Sequence, residues 1–301
     1  MTLPQGLGAW LWLPQLLGGY GPSLVSRLQR YGFSWVAPRG AVSQKSAHFR
    51  DSNWKPDTAK AATEMFHAAG IGVYPWIYNQ PTQVNDELRT VADLFEEGAD
   101  GVLHDAEDPY CGNLSGGKTV TTAANLLVDR SLSIANGRFL GFAPFPFLIS
   151  HADFPYDAFA TKMWAMSQCY WTQFPKSAND ALTLTLNQWD AYRNKLLQKG
   201  TPLVGHVPIG CVYGKAELRK LGAPAAQLPP GEYKLGELET YFDATAQAPF
   251  RSVWGFEFAA PDALDDLLLL KPPDAPLGLP DLGKPIFNAM DAISSWQKDG
   301  S

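Results

Sequence analysis

Two acidic residues spaced by one position stand out in the segment Asp100-Gly101-Val102-Leu103-His104-Asp105-Ala106-Glu107-Asp108. In an extended chain side chains alternate between faces, so Leu103, Asp105 and Glu107 share one side and His104 takes the other. Two carboxyls held together and partly buried repel each other, which raises the pKa of one of them. A general acid needs that to keep its proton near neutral pH. Asp108, directly before Pro109, reads instead as a capping or turn residue. His48, His67, His151 and His206 show no metal-ligand spacing, and no cofactor motif is convincing, so neither a metal nor a cofactor is expected.

The elements that must position this pair follow from the hydrophobic rhythm. Short apolar runs rich in aromatic and β-branched residues begin near Gly8, Ser34, Ile71, Asp100, Arg138, Thr161, Pro202 and Arg251, each followed by a stretch of helical spacing. The starts lie about 35 residues apart, the length of one βα unit. Gly32, Gly70, Gly98, Gly137 and Gly200 stand where a helical pattern stops, and Pro22-Ser23, Asp57 and Asn85 stand where one starts. Eight units without a sequence repeat predict a single-domain α/β protein, a (βα)8 TIM barrel. Insertions are expected after strand five (144–156) and after strand eight (about 261–285), with a final helix at about 286–297. A doubly wound sheet is the alternative, but no unit opens with a GxGxxG turn.

In such barrels the chemistry sits at the carboxyl ends of the strands. Those ends offer Trp12, Arg39, Trp76, Tyr78, Gln168, Trp171, Tyr213, Trp254 and Glu257, an aromatic lining with a few hydrogen-bonding groups that suits a neutral sugar polymer. Glu257, in Trp254-Gly255-Phe256-Glu257-Phe258, is the natural second carboxylate for a nucleophile or a base, or else a buried partner of Arg39. Trp10, Trp35 and Trp189 read as packing.

The strand-four segment resembles the strand-four signature of family 18 chitinase-like barrels, and its Asp-Ala-Glu core is similar to the Asp-x-Glu of family 25 lysozymes. Met166-Ser167-Gln168-Cys169-Tyr170-Trp171 resembles the Met-x-Tyr region of the first family, and Trp254 resembles its floor tryptophan. The resemblance implies a glycosidase in which Glu107 protonates the glycosidic oxygen, Asp105 orients an N-acetyl group, and Tyr170 binds the acetamido oxygen. The substrate it implies is a β-linked, N-acetylated glycan of the chitin or peptidoglycan type. Leu103 departs from it, standing where chitinases usually carry another aspartate, and strand one offers Trp12 and Gln15 where the lysozymes have an aspartate. That departure motivates a second reading, a catalytically inactive barrel that binds glycans or serves as a structural part of a larger assembly.

Composition narrows the remaining classes. The 301 residues are 46% hydrophobic and 18% charged, as in a chain able to bury a full core. A net charge of −6 without a Lys/Arg cluster argues against nucleic acid as a partner. Three cysteines, Cys111, Cys169 and Cys211, form no CxxC and suggest free thiols rather than a disulfide framework. The apolar start is broken by proline and glycine and its first basic residue is Arg27, so it reads as a first strand rather than a signal peptide. No run approaches membrane-spanning length, so a soluble chain with no membrane partner is expected. Gly112 to Thr119 matches the P-loop pattern, but it follows Asp105, Glu107 and Asp108, whose charges would repel phosphates. A glycine-rich loop entering a helix, with Lys118 solvated, is expected there.

Overall fold

A computed structural model describes residues 3–112 and 119–270. The chain opens with β1 (Gly6–Leu11) and α1 (Pro22–Arg30). A long β2 (Phe33–Gln44) then turns back through an antiparallel hairpin with β3 (Ala47–Arg50) before α2 (Pro56–Ala68). The third barrel position is split into β4 (Gly72–Val73) and β5 (Trp76–Tyr78), with Pro75, which has no N–H to donate, between the two pieces. Next come α3 (Val84–Glu96), β6 (Gly101–Asp105), α4 (Val120–Ala135), β7 (Phe139–Phe142), α5 (Tyr156–Ala160), β8 (Trp164–Ala165) and α6 (Ala178–Gln198). The chain finishes with β9 (Ile209–Cys211), α7 (Lys215–Lys220), α8 (Glu237–Ala244), β10 (Phe250–Trp254) and α9 (Pro261–Leu269).

Barrel neighbours pair in parallel in the order β8-β7-β6-β5-β2-β1-β10-β9. Parallel bridges from Ala165 to His206 and from Gln168 to Ile209 join the two ends, so the sheet closes on itself. Strand seven becomes a regular ladder only from Ile209, later than its apolar run suggests, because Pro208 cannot donate to a neighbour.

The core lies in two layers. Inside the barrel, Trp10, Trp35, Tyr74, Trp76, Leu103, Phe139, Met166, Ile209 and Phe250 fill the lumen. A Cβ at Gly8 would come within 2.0 Å of the Trp35 ring, so only glycine lets the first strand accept that indole. Between barrel and helices, a second layer packs the apolar stripes of the helices, such as Leu24, Val25 and Leu28 of α1 or Val91, Leu94 and Phe95 of α3, against outward strand positions. Several helices end on left-handed glycines that turn the chain back into the sheet, among them Gly32 (φ +76°) and Gly98 (φ +100°).

Three connections differ in length or form. The loop after strand five holds a 3-10 turn, Leu148–His151, before the short α5. A longer excursion follows strand seven, with α7 and a 3-10 turn at Ala225–Gln227 ahead of α8, and the sequence reading did not anticipate it. The segment expected to be a Pro-rich insertion after strand eight begins as helix α9, with Pro261 at its first position, where the missing N–H costs nothing. The rest of that insertion, the final helix at 286–297 and Lys118 with most of the P-loop-like match lie outside the described residues. Among the described residues no helix is long and apolar enough to cross a membrane.

Candidate functional site

At the carboxyl end of the barrel a cavity of about 450 Å³ opens to solvent, within the range of small-ligand sites. Asp105 ends β6, and Glu107 follows two residues later, at the start of the 3-10 turn Asp108–Tyr110, so the alternation of the strand delivers both carboxyls to the cavity wall. Their backbone is held by continued pairing on both flanks: Asn79 N–H donates to the Asp105 carbonyl at 2.9 Å and Ala143 N–H to the His104 carbonyl at 2.8 Å. His104 faces the opposite way, is fully buried and meets Asn79 at 3.2 Å; burial pushes its pKa down to about 4, so it is neutral near pH 7.

Gln168 clasps the pair. Its amide nitrogen donates to Asp105 Oδ1 at 2.8 Å and to Glu107 Oε1 at 2.5 Å, with the Ala143 carbonyl at 3.1 Å as a third acceptor for the same two hydrogens. Asp105 and Glu107 stand side by side on that one amide, close enough that each influences the other's titration. Burial is the main force raising both pKa values. The Glu107 charge adds to it at Asp105, and the Asp108 charge adds to it at Glu107, while the Gln168 amide pulls both back down. Both carboxyls line the cavity, and the upward shifts favour the protonated form of the pair.

An aromatic wall faces this pair. Trp254, at the end of β10, stacks on Trp12 (6.0 Å, 28°) and on Tyr170 (5.8 Å, 25°) and meets the edge of Trp76 at 5.8 Å. The Arg39 guanidinium lies 5.9 Å from the Trp12 ring and pairs with Asp51 at 2.5 Å, so Asp51, brought in just after the β3 hairpin, offsets its charge. Tyr78 and Tyr213 complete the wall. Burial drives both hydroxyls well above the ordinary tyrosine range, and Tyr213 accepts a hydrogen bond from Gln173 at 2.9 Å. Leu218, Leu221, Ala223 and Gln227 of the excursion after strand seven close one side.

Asp105, Glu107, Tyr170, Trp12, Arg39, Trp76, Tyr78, Gln168, Tyr213 and Trp254 therefore lie around one cavity, whereas two expected residues stand elsewhere. Trp171, adjacent to Tyr170, points the other way. It is 1% exposed, donates Nε1–H to Glu237 at 2.9 Å and packs beside Tyr233 and Tyr241. Glu257 is buried behind the wall, where the left-handed Gly255 (φ +90°) turns the chain, and its Oε1 accepts the backbone N–H groups of Trp12 and of Leu13, the latter at 2.9 Å. It thus holds the loop after strand one rather than facing the cavity; its direct partners are backbone amides, and burial pushes its pKa up to about 7. Sequence reasoning missed Gln173 and the four residues of the strand-seven excursion; the apolar spacing of Leu218 and Leu221 was the one available signal.

No family model matches the sequence, and no curated protein matches it. Solved structures do share the fold. The C-terminal domain of a putative chitinase from Desulfitobacterium hafniense DCB-2 superposes with a TM-score of 0.59 at 12% identity, covering 88% of this chain and 97% of that one. The ICChI chitinase from Ipomoea carnea gives 0.56 at 14% identity, over 88% and 99% of the two chains. The PgaB (BpsB) glycoside hydrolase domain from Bordetella bronchiseptica gives 0.56 at 11% identity, over 90% and 100%. At these identities the likeness shows a shared architecture, and the chain is an α/β barrel of the TIM type.

Proposed function

We propose that the protein is a glycoside hydrolase acting on a β-linked, N-acetylated glycan of the chitin or peptidoglycan type, with the substrate's acetamido group taking part in the reaction. The observation that carries this reading is the contact between Asp105 and Glu107, clasped by one Gln168 amide opposite a tryptophan wall. Because the one Gln168 nitrogen is 2.8 Å from Asp105 Oδ1 and 2.5 Å from Glu107 Oε1, those two oxygens are at most about 5.3 Å apart and lie on the same wall. Acid and nucleophile of a retaining enzyme stand about 5–5.5 Å apart, and acid and base of an inverting one about 6.5–9.5 Å. Two carboxyls held side by side by one amide do not face a glycosidic bond from opposite sides, and Glu257, the third carboxylate considered, is engaged with backbone amides.

Substrate assistance fits two adjacent carboxyls. Glu107 gives its proton to the glycosidic oxygen as the bond to the anomeric carbon breaks. The acetamido oxygen of the same sugar attacks that carbon from the opposite face, and Asp105 accepts the acetamido N–H and stabilises the positive charge that develops there. Tyr170, whose hydroxyl is kept protonated by burial and by the nearby carboxyls, donates to the acetamido oxygen and aligns it. Water then opens the intermediate while Glu107 takes back a proton. The stacked Trp12, Trp254 and Tyr170 rings supply apolar faces for sugar rings, and the Asp51-paired Arg39 keeps the wall near neutral.

The test compares fully acetylated and deacetylated β-1,4-glucosamine oligomers across pH 4–8, with products read by mass spectrometry. Cleavage of the acetylated oligomer alone is expected; equal cleavage of both would remove the acetamido group from the mechanism. One observation favours the second reading, a glycan-binding or structural barrel without turnover: Leu103, at the aspartate position of the chitinase pattern, is fully buried in the lumen. Binding of oligomers without cleavage over that range would select it.

A further inference from the structure

We propose that Asp108, Cys111 and His151 form a zinc site that clips the loop after strand four to the loop after strand five. One ligand atom from each residue lies within 4.8 Å of the others, and His151 Nδ1 stands 4.0 Å from Asp108 Oδ1. Asp108 and Cys111 sit at the two ends of a single 3-10 turn, where the Cys111 N–H donates to the Asp108 carbonyl at 2.9 Å, so the backbone fixes their spacing. His151 comes from the 3-10 turn of the next loop, and its ring lies flat on Phe145 (3.4 Å between centroids, 5° between planes), which sets the direction of its nitrogens.

The donor set is selective. A thiolate, an imidazole and a carboxylate together suit zinc, whereas magnesium and calcium take oxygen ligands. Around zinc these donors would stand about 3.3–3.7 Å apart, which follows from bonds of about 2.0–2.3 Å in a tetrahedron. Closing from the present spacing takes roughly 1 Å of movement, and Asp108, with 81% of its side chain exposed, has room for it. The carboxylates of Asp153 and Asp108 make the surroundings of Cys111 negative, a place that favours a cation. Because Asp108 directly follows Glu107, the bound metal anchors the turn on which that carboxyl is mounted.

The test uses the full chain, metal-stripped, with no glycan. Zinc is titrated in competition with a chromophoric chelator, and cobalt(II) is used as a spectroscopic substitute. One equivalent of zinc is expected, together with a cobalt thiolate charge-transfer band and intense tetrahedral visible bands. Cys111→Ser should abolish the thiolate band, and both Cys111→Ser and His151→Ala should weaken zinc binding at least about 10-fold. His67→Ala, which alters an exposed histidine paired with Asp100, should change neither result. Absence of zinc uptake, unchanged affinity in Cys111→Ser and His151→Ala, or cobalt binding without the thiolate band would overturn the assignment.

Discussion

Replacing Gln168 by methionine removes the one amide that donates to both carboxyls while keeping a side chain of similar length. A hydrogen bond to a charged group contributes about 1.5–3 kcal/mol, and 1.36 kcal/mol corresponds to one pKa unit. The donor favours the ionised forms, so its loss should raise both apparent pKa values of the pair by about 1–2 units. In the proposed reaction the active form holds one proton on the pair. Both limbs of the pH dependence of kcat/KM for an aryl glycoside of an N-acetylglucosamine oligomer should therefore move to higher pH by that amount. The maximum should also fall, because Glu107 loses the group that fixes its rotamer. A thermal melt at each pH confirms that the variant is folded where it is assayed. A bell of reduced height at an unshifted pH would refute the idea that Gln168 sets the charge of the pair, leaving it a spacer.

Trp254→Ala removes the ring stacked between Trp12 and Tyr170, and oligomer affinity measured by calorimetry should fall about 5- to 30-fold, or about 1–2 kcal/mol. Trp171→Phe should cost about 1 kcal/mol in chemical denaturation, through the lost hydrogen bond to Glu237, while KM stays unchanged; a large change in KM would return Trp171 to the site. Glu87, fully buried on α3 with its pKa pushed up to about 7 by burial, keeps its proton in the native state while the unfolded chain releases it near 4.5. The native state then binds more protons between those values, and stability falls as pH rises through that window, by about 3 kcal/mol from this group. Glu87→Gln should accordingly gain stability over the wild type as pH goes from 5 to 8, and a difference independent of pH would contradict that assignment.

The period-two alternation that brings Asp105 and Glu107 to one wall was legible because β6 is a regular strand up to Asp105. Trp171 was harder to place, because the strand has ended by then: Gln168 and Tyr170 line the cavity, and the 3-10 turn that begins at Trp171 carries its indole into the outer layer. Glu257 escaped that logic because Gly255 ends the strand and turns the chain before the glutamate is reached. The excursion after strand seven was invisible as an element: its α7 has only six residues, too few for a periodic signal, yet it supplies a whole side of the cavity. Spacing along the chain also hid Asp108, Cys111 and His151, because a set divided between two loops forty residues apart becomes a cluster only when β6 and β7 pair side by side.

The most direct measurement of the central claim is turnover and binding of an acetylated oligomer by Glu107→Gln. The substitution keeps the shape of the side chain and its place beside Gln168 and Asp105 but removes the proton that the leaving oxygen requires. kcat should drop by about 10²- to 10⁴-fold while the dissociation constant measured by calorimetry changes by less than about 3-fold. Turnover within a few-fold of the wild type, with the protein folded, would contradict that claim and remove Glu107 from the role of acid.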